Sequence, residues 1–265
     1  MNLAIGCTTR PHASISFSDA CERIAAAGYR EVAVFRNQGE AAVNSESSPD
    51  EVAEARRIAA DAGLRPSMLL GRTRLELGLG TAVKDYLRLI SNASELGSTW
   101  LLDCGTGDEA HFADYYELMR RVMPHAQDCG IGVVLKPHGG ITLTVEDLLK
   151  AEESVGHPSF GICYDPGNII YYSRGELRPE VGIERIAPAV RAFIVKDCIL
   201  RDGTPDVMVT PGEGLVDFER VLSGLVQGGF DGPLYVECVG GDDVKEVDEN
   251  LRRTLGFLED ILASL

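Results

Sequence analysis

The sequence predicts a closed barrel of eight parallel strands, each followed by a helix, and three observations carry that prediction. An amphipathic stretch rich in Ala, Glu and Arg, then a glycine, then a short apolar run recurs about every 30 to 40 residues. Eight such apolar runs are present, nearly continuous rather than alternating, as strands covered on both faces should be. No Gly-x-Gly-x-x-Gly follows the first run, which argues against an open dinucleotide-binding sheet, and 265 residues is close to the usual length of one (β/α)8 barrel. Residues 1–265 therefore read as a single domain, with no low-complexity linker to mark a second.

The elements follow in order. Strands are expected at 3–7, 31–35, 66–70, 99–104, 132–137, 160–165, 192–196 and 234–238. Helical stretches at 18–27, 50–62, 83–96, 114–129 and 144–155 are closed by Gly28, Gly63, Gly97, Gly130 and Gly156, where only glycine takes the left-handed conformation cheaply. Ser48-Pro49-Asp50 opens the second helix with Pro at its first position, and Thr144-Val145-Glu146-Asp147 opens the fifth with an N-cap and an acid three residues on. A last helix is expected at about 244–263.

Composition sets limits on function. Apolar residues make up 45% of the chain, enough for a full core. No apolar run approaches the roughly 20 residues needed to span a bilayer, so no membrane partner is expected. The first six residues, Met1 to Gly6, lack a basic segment and a long apolar run, so no signal peptide is expected and the compartment is expected to be cytoplasmic. A formal charge of −16 lacks the basic footprint that a nucleic-acid partner would need. Seven cysteines with no Cys-x-x-Cys pair argue against disulfides and zinc knots, and Cys104, Cys163, Cys198 and Cys238 fall in or just after strands as small core residues.

Polar groups collect at the carboxyl ends of the strands, where barrels build their chemistry. They are Thr9-Arg10, Arg36-Asn37, Arg72, Asp103, Lys136-Pro-His138, Asp165-Pro-Gly-Asn168, Lys196-Asp197 and Glu237. Alternation along a strand lets Lys136 and His138 share the inward direction, as it does Ile194 and Lys196. Asp165 and Glu237 end apolar runs, and a buried carboxylate is costly unless a cation meets it. Two solutions stand open: a divalent metal on Asp165 and Glu237 with His138 as a nitrogen ligand, or ion pairs with Lys136 and Lys196. Arg10, Arg36 and Arg72 follow the first three strands and suit an anionic or polyhydroxylated substrate, or else pair with surface acids. Asn168 and His12 are placed to contact hydroxyls.

Four segments together resemble the xylose-isomerase-like family of barrels. They are Phe160-Gly-Ile-Cys-Tyr-Asp165-Pro-Gly-Asn168, Phe193-Ile-Val-Lys196-Asp197, Pro211-Gly-Glu-Gly-Leu-Val-Asp217-Phe and Phe230-Asp-Gly-Pro-Leu-Tyr-Val-Glu237. The resemblance covers nearly the whole chain and implies a site for Mn²⁺, Mg²⁺, Co²⁺ or Zn²⁺ with four protein ligands. Asp165 and Glu237 match two of them. The other two positions hold Lys136 and Ile194, so His138 is the candidate substitute ligand and Lys136 the candidate source of positive charge.

What the resemblance implies is an isomerase or epimerase acting on a sugar or keto-sugar derivative through an enediolate. Glu237 is then the base, Lys136 and His138 are its catalytic companions, and Lys196 and Asn168 orient hydroxyls. A lyase of the inosose-dehydratase type and a non-catalytic carbohydrate-binding barrel are the alternatives. Related barrels are often dimers or tetramers, so a homo-oligomer is within the same expectation.

Overall fold

The computed structural model describes residues 3–265. Eight parallel strands close into a barrel: β1 (Ile5–Thr8), β2 (Glu31–Val34), β3 (Arg65–Leu70), β4 (Trp100–Asp103), β5 (Gly132–Leu135), β6 (Phe160–Tyr164), β7 (Val190–Val195) and β8 (Leu234–Val236). Each pairs with its sequence neighbours, and β1 pairs with β8 through Ile5–Leu234, Gly6–Tyr235 and Cys7–Val236 to leave no edge. The outer ring comprises α1 (Phe17–Ala26), α2 (Pro49–Asp61), α3 (Leu79–Leu96), α4 (Phe112–Asp128), α5 (Val145–Val155), α6 (Pro166–Tyr172), α7 (Ile183–Ile186), α8 (Phe218–Gln227) and α9 (Val244–Ser264).

The local signals behave as the sequence predicts. Gly28, Gly63, Gly97, Gly130 and Gly156 all have positive φ. Ser48 and Thr144 each form a complete capping box, with Glu51 and Asp147 respectively. Two short hairpins, Arg36–Asn37 with Glu40–Ala41 and Ile199–Arg201 with Thr204–Asp206, were not anticipated. They lie in the loops after β2 and β7, on the carboxyl face of the barrel.

Two buried layers result. The larger fills the space between sheet and helices, with Tyr86, Leu89 and Ile90 of α3 and Tyr115, Leu118 and Met119 of α4 among its residues. The smaller is the barrel interior, filled by Ala33, Phe35, Met68, Leu102, Val134, Cys163, Ala192, Ile194 and Tyr235. Strand alternation then fixes what stands one layer higher: two residues beyond Val134, Cys163, Ile194 and Tyr235 come Lys136, Asp165, Lys196 and Glu237. Each is the first residue after its strand ends, and β5 and β8 end two residues short of their predicted limits. Among the described residues no helix is long and apolar enough to cross a membrane.

Candidate active site

Lys136, Asp165, Lys196 and Glu237 meet over the barrel interior in a ring of alternating charge. Lys136 Nζ donates to Glu237 Oε2 at 2.7 Å and lies 3.3 Å from Asp165 Oδ2. Lys196 Nζ donates to Glu237 Oε1 at 2.6 Å and to Asp165 Oδ2 at 3.1 Å. All four are buried, the two carboxylates completely. Arg10, at the start of the turn after β1, caps the ring from the solvent side, with Nη1 3.4 Å from Glu237 Oε1 and 43% of its side chain exposed.

Of the two solutions that the sequence leaves open, the geometry realises the ion pairs. Burial alone would push the Glu237 carboxyl up, but Lys136, Lys196 and Arg10 outweigh it and hold the acid well below the usual carboxylate range. Burial would likewise discharge Lys136, but Glu237 and Asp165 keep its ammonium charged far into alkali. A divalent ion on Asp165 and Glu237 would have to displace two ammonium groups already at contact distance. Among the described residues no group of three or more His, Cys, Asp or Glu side chains is placed to hold a metal. The expected ligand set of Asp165, Glu237 and His138 therefore does not fit this donor arrangement.

His138 differs from expectation for a local reason. β5 stops at Leu135, and Pro137 has no N–H with which to continue the ladder, so alternation does not carry Lys136's inward direction on to residue 138. The chain instead turns: His138 N donates to Thr142 Oγ1 at 2.8 Å, and Gly140, at φ +55°, passes so close to the loop after β4 that a Cβ would lie 2.5 Å from Thr106 O. His138 is exposed, with its Nε2 3.0 Å from the Tyr172 hydroxyl of α6. Partial desolvation of the ring at the mouth of the site, then the charges of Lys136 and Lys196, lower its pKa to about 4, so it is neutral at physiological pH. Tyr172 carries no sequence signal that separates it from a surface tyrosine.

Asn168, expected to contact hydroxyls, has its polar groups engaged within the protein. Its side-chain N–H₂ donates to Pro137 O at 2.7 Å, its Oδ1 accepts from Lys196 at 3.1 Å, and its backbone N–H binds Asp165 Oδ1 at 2.9 Å. It fixes the first turn of α6 beneath the charge ring. His12, expected at a hydroxyl, is instead buried against Asp248 of α9 at 3.2 Å. The three arginines also separate. Arg10 joins the ring. Arg36 and Arg72 line a neighbouring cavity of about 610 Å³, which Cys104 shares and in which Arg74 is the third cation and Glu46, Glu76 and Asp85 balance the charge. Arg72 pairs with Glu76 at 3.2 Å on the surface. Cys163, Cys198 and Cys238 are core residues as expected; Cys104 is half-buried, with burial pushing its thiol up to about 12.

Two carboxylates at strand ends serve the scaffold. Asp103 accepts from the Tyr86 and Tyr115 hydroxyls, each at 3.0 Å, and from Gly105 N at 2.8 Å. Asp197 accepts from the backbone N–H groups of Cys198, Gly212, Gly214 and Val216 at 2.8 to 3.0 Å, pinning the Pro211–Val216 loop. The approach is so close that a Cβ on Gly214 would sit 2.3 Å from Asp197 Oδ1.

A family model described as xylose isomerase-like TIM barrel matches residues 21–261. A xylose isomerase-like TIM barrel protein from Mycobacterium smegmatis, solved in complex with magnesium, is 18% identical with a TM-score of 0.78, over 98% of this chain and 98% of its own. D-psicose 3-epimerase from Clostridium cellulolyticum H10, solved with D-tagatose, is 14% identical with a TM-score of 0.78, over 98% and 99%. The probable 3-DHS dehydratase AsbF of Bacillus anthracis, involved in petrobactin synthesis, is 15% identical with a TM-score of 0.74, over 97% and 99%. At these identities the structural likeness speaks for the fold. No match is found among curated proteins.

Proposed function

The chain belongs to the xylose isomerase-like TIM barrel family, and from that premise we propose that it is an isomerase or epimerase acting on a sugar or keto-sugar derivative. The reaction is proton abstraction next to a carbonyl. The observation that carries this reading is Glu237, an ionised carboxylate at the closed end of the site with Lys136, Lys196 and Arg10 around it. Glu237 takes the proton from carbon, the C–H electron pair moves into a carbon–carbon double bond, and the carbonyl π electrons settle on oxygen as an enediolate. Lys136 donates to that oxygen.

The same cations make resting Glu237 a weak base. A substrate oxygen that draws Lys136 and Arg10 toward itself relieves this, so basicity rises where the carbonyl is bound. Returning the proton to the adjacent carbon, while the hydroxyl proton of the enediolate passes to the former carbonyl oxygen, gives the isomer; returning it to the opposite face of the same carbon gives the epimer. The wider cavity lined by Arg36 and Arg72, with its balanced charges, suits the hydroxyl-bearing remainder of the substrate.

A lyase reading draws support from the His138–Tyr172 pair at the mouth. Neutral imidazole and phenol both hold a proton that a leaving hydroxyl would need. One experiment separates these readings. Candidate ketoses and keto-sugar derivatives are incubated with the protein in D₂O and followed by proton NMR, with absorbance monitored for an enone. Deuterium entering the position next to the carbonyl, reduced about 100-fold or more in Glu237→Gln, is the expected outcome. Exchange that survives this substitution would remove Glu237 from the mechanism, and enone formation would favour elimination.

A further inference from the structure

Resting on the reading of this strand end as an oxyanion-handling site, we infer that the centre works without a divalent ion and that its ligand is a small planar oxyanion, a carboxylate or an enediolate, gripped jointly by Lys136 and Arg10. The argument is one of donors. An ammonium group has three N–H bonds and a guanidinium five. Lys196 has all three engaged, with Glu237 Oε1 at 2.6 Å, Asp165 Oδ2 at 3.1 Å and Asn168 Oδ1 at 3.1 Å. Lys136 has two acceptors, Glu237 Oε2 at 2.7 Å and Asp165 Oδ2 at 3.3 Å, leaving one N–H. Arg10 spends a single long contact on Glu237, at 3.4 Å, and the rest of its fork faces solvent.

Lys196 is thus a positioning residue that holds both carboxylates, and the unsatisfied donors belong to Lys136 and Arg10. Charge agrees with donor count. Three cations against two carboxylates leave the centre one positive charge in excess, and an anion completes it. Shape agrees as well. Lys136 and Arg10 already bracket a planar two-oxygen anion, Lys136 at one oxygen and Arg10 at the other, in Glu237 itself. A carboxylate or a cis-enediolate has the same planar pair of oxygens. The two positions where the family resemblance expects metal ligands hold Lys136 and Ile194, a fixed cation and a hydrocarbon. Positive charge is therefore built into the chain instead of recruited.

Isothermal titration calorimetry on full-length protein stripped of metal tests this, with oxalate in EDTA-containing buffer as one probe and Mn²⁺ alone as the other. Oxalate is expected to bind without metal, and Mn²⁺ is not expected to bind. Lys136→Gln and Arg10→Ala should each weaken oxalate at least tenfold. Arg10 is half-exposed, so its removal leaves the fold intact and decides the matter even if Lys136→Gln fails to fold. One Mn²⁺ per wild-type chain, absent oxalate binding, or oxalate binding unchanged in Arg10→Ala would each overturn the inference. Intact metal-free oxalate binding beside absent proton exchange with every sugar would support it while removing the isomerase reading.

Discussion

Glu237 has two oxygens and three cations, and that imbalance sets both its chemistry and its cost. A buried carboxylate stripped of one partner loses roughly 3 to 5 kcal/mol, because the remaining charge stays desolvated. Glu237→Gln keeps the volume but leaves buried Lys136 and Lys196 with Asp165 as their remaining carboxylate, so a stability loss of roughly 3 to 5 kcal/mol is expected beside the loss of activity. Asp197 shows the complementary case, a strand-end acid with every lone pair spent on backbone. Asp197→Ala leaves four amide groups without their acceptor and should cost about 3 kcal/mol, read from the urea midpoint. A loss below about 1 kcal/mol would mean that the Pro211–Val216 loop is held by something else. Asp103, Asp165 and Asp197 look alike as acids at strand ends. Only their partners separate a scaffold residue from a member of the charge ring, and those partners lie far away in sequence.

Helices and strands were the most legible elements. A glycine stop after an amphipathic run is a local event, decided by backbone sterics within a few residues, and all five predicted stops take positive φ. The same locality makes the start of α5 testable. Thr144→Ala deletes the bond from Asp147 N to Thr144 Oγ1 and half of the capping box, and should cost about 1 kcal/mol by thermal or urea unfolding. No measurable loss would show that tertiary packing alone fixes this helix end. Less legible were the places where strands stop. Pairing at β5 ends at Leu135, and Pro137 then breaks the alternation that would have put His138 beside Lys136. The two hairpins after β2 and β7 leave no periodic signal because their strands are two and three residues long.

At the scale of the whole molecule, pH reports on the buried charges together. His138 and His12 have lowered pKa values, His138 to about 4, while the ordinary histidine value is 6.5. The unfolded chain therefore takes protons that the fold refuses, and stability falls as pH drops from about 6.5 to about 4. Glu237 is lowered from 4.5, so its contribution is complete above that value and drains away below it. Lys136 is raised from 10.5, so its contribution is complete below that value and is lost as pH climbs past it. The acid shoulder is expected to begin near pH 6.5, and melting temperatures taken across pH 4 to 8 should show it shrink in His138→Gln while the part that belongs to buried His12 remains. A shoulder unchanged in this variant would assign it to other groups.

Residue order and periodicity alone specify the barrel, its glycine-stopped repeat, the family, and the strand ends at which the charged residues stand. These follow from periodicity, turn sterics and residue order, all of which act over short stretches of chain. What only the tertiary structure decided is which charges meet. Asp165 and Glu237 needed cations; the sequence offered both a metal with His138 and a pair of lysines, and closing the barrel put Lys136 and Lys196 within 2.6 to 3.3 Å of both acids. Arg10 joined that ring while Arg36 and Arg72 were carried to an adjoining cavity. Coulomb energy depends on distances between residues up to 227 positions apart, and no local pattern encodes such distances until the strands are in register.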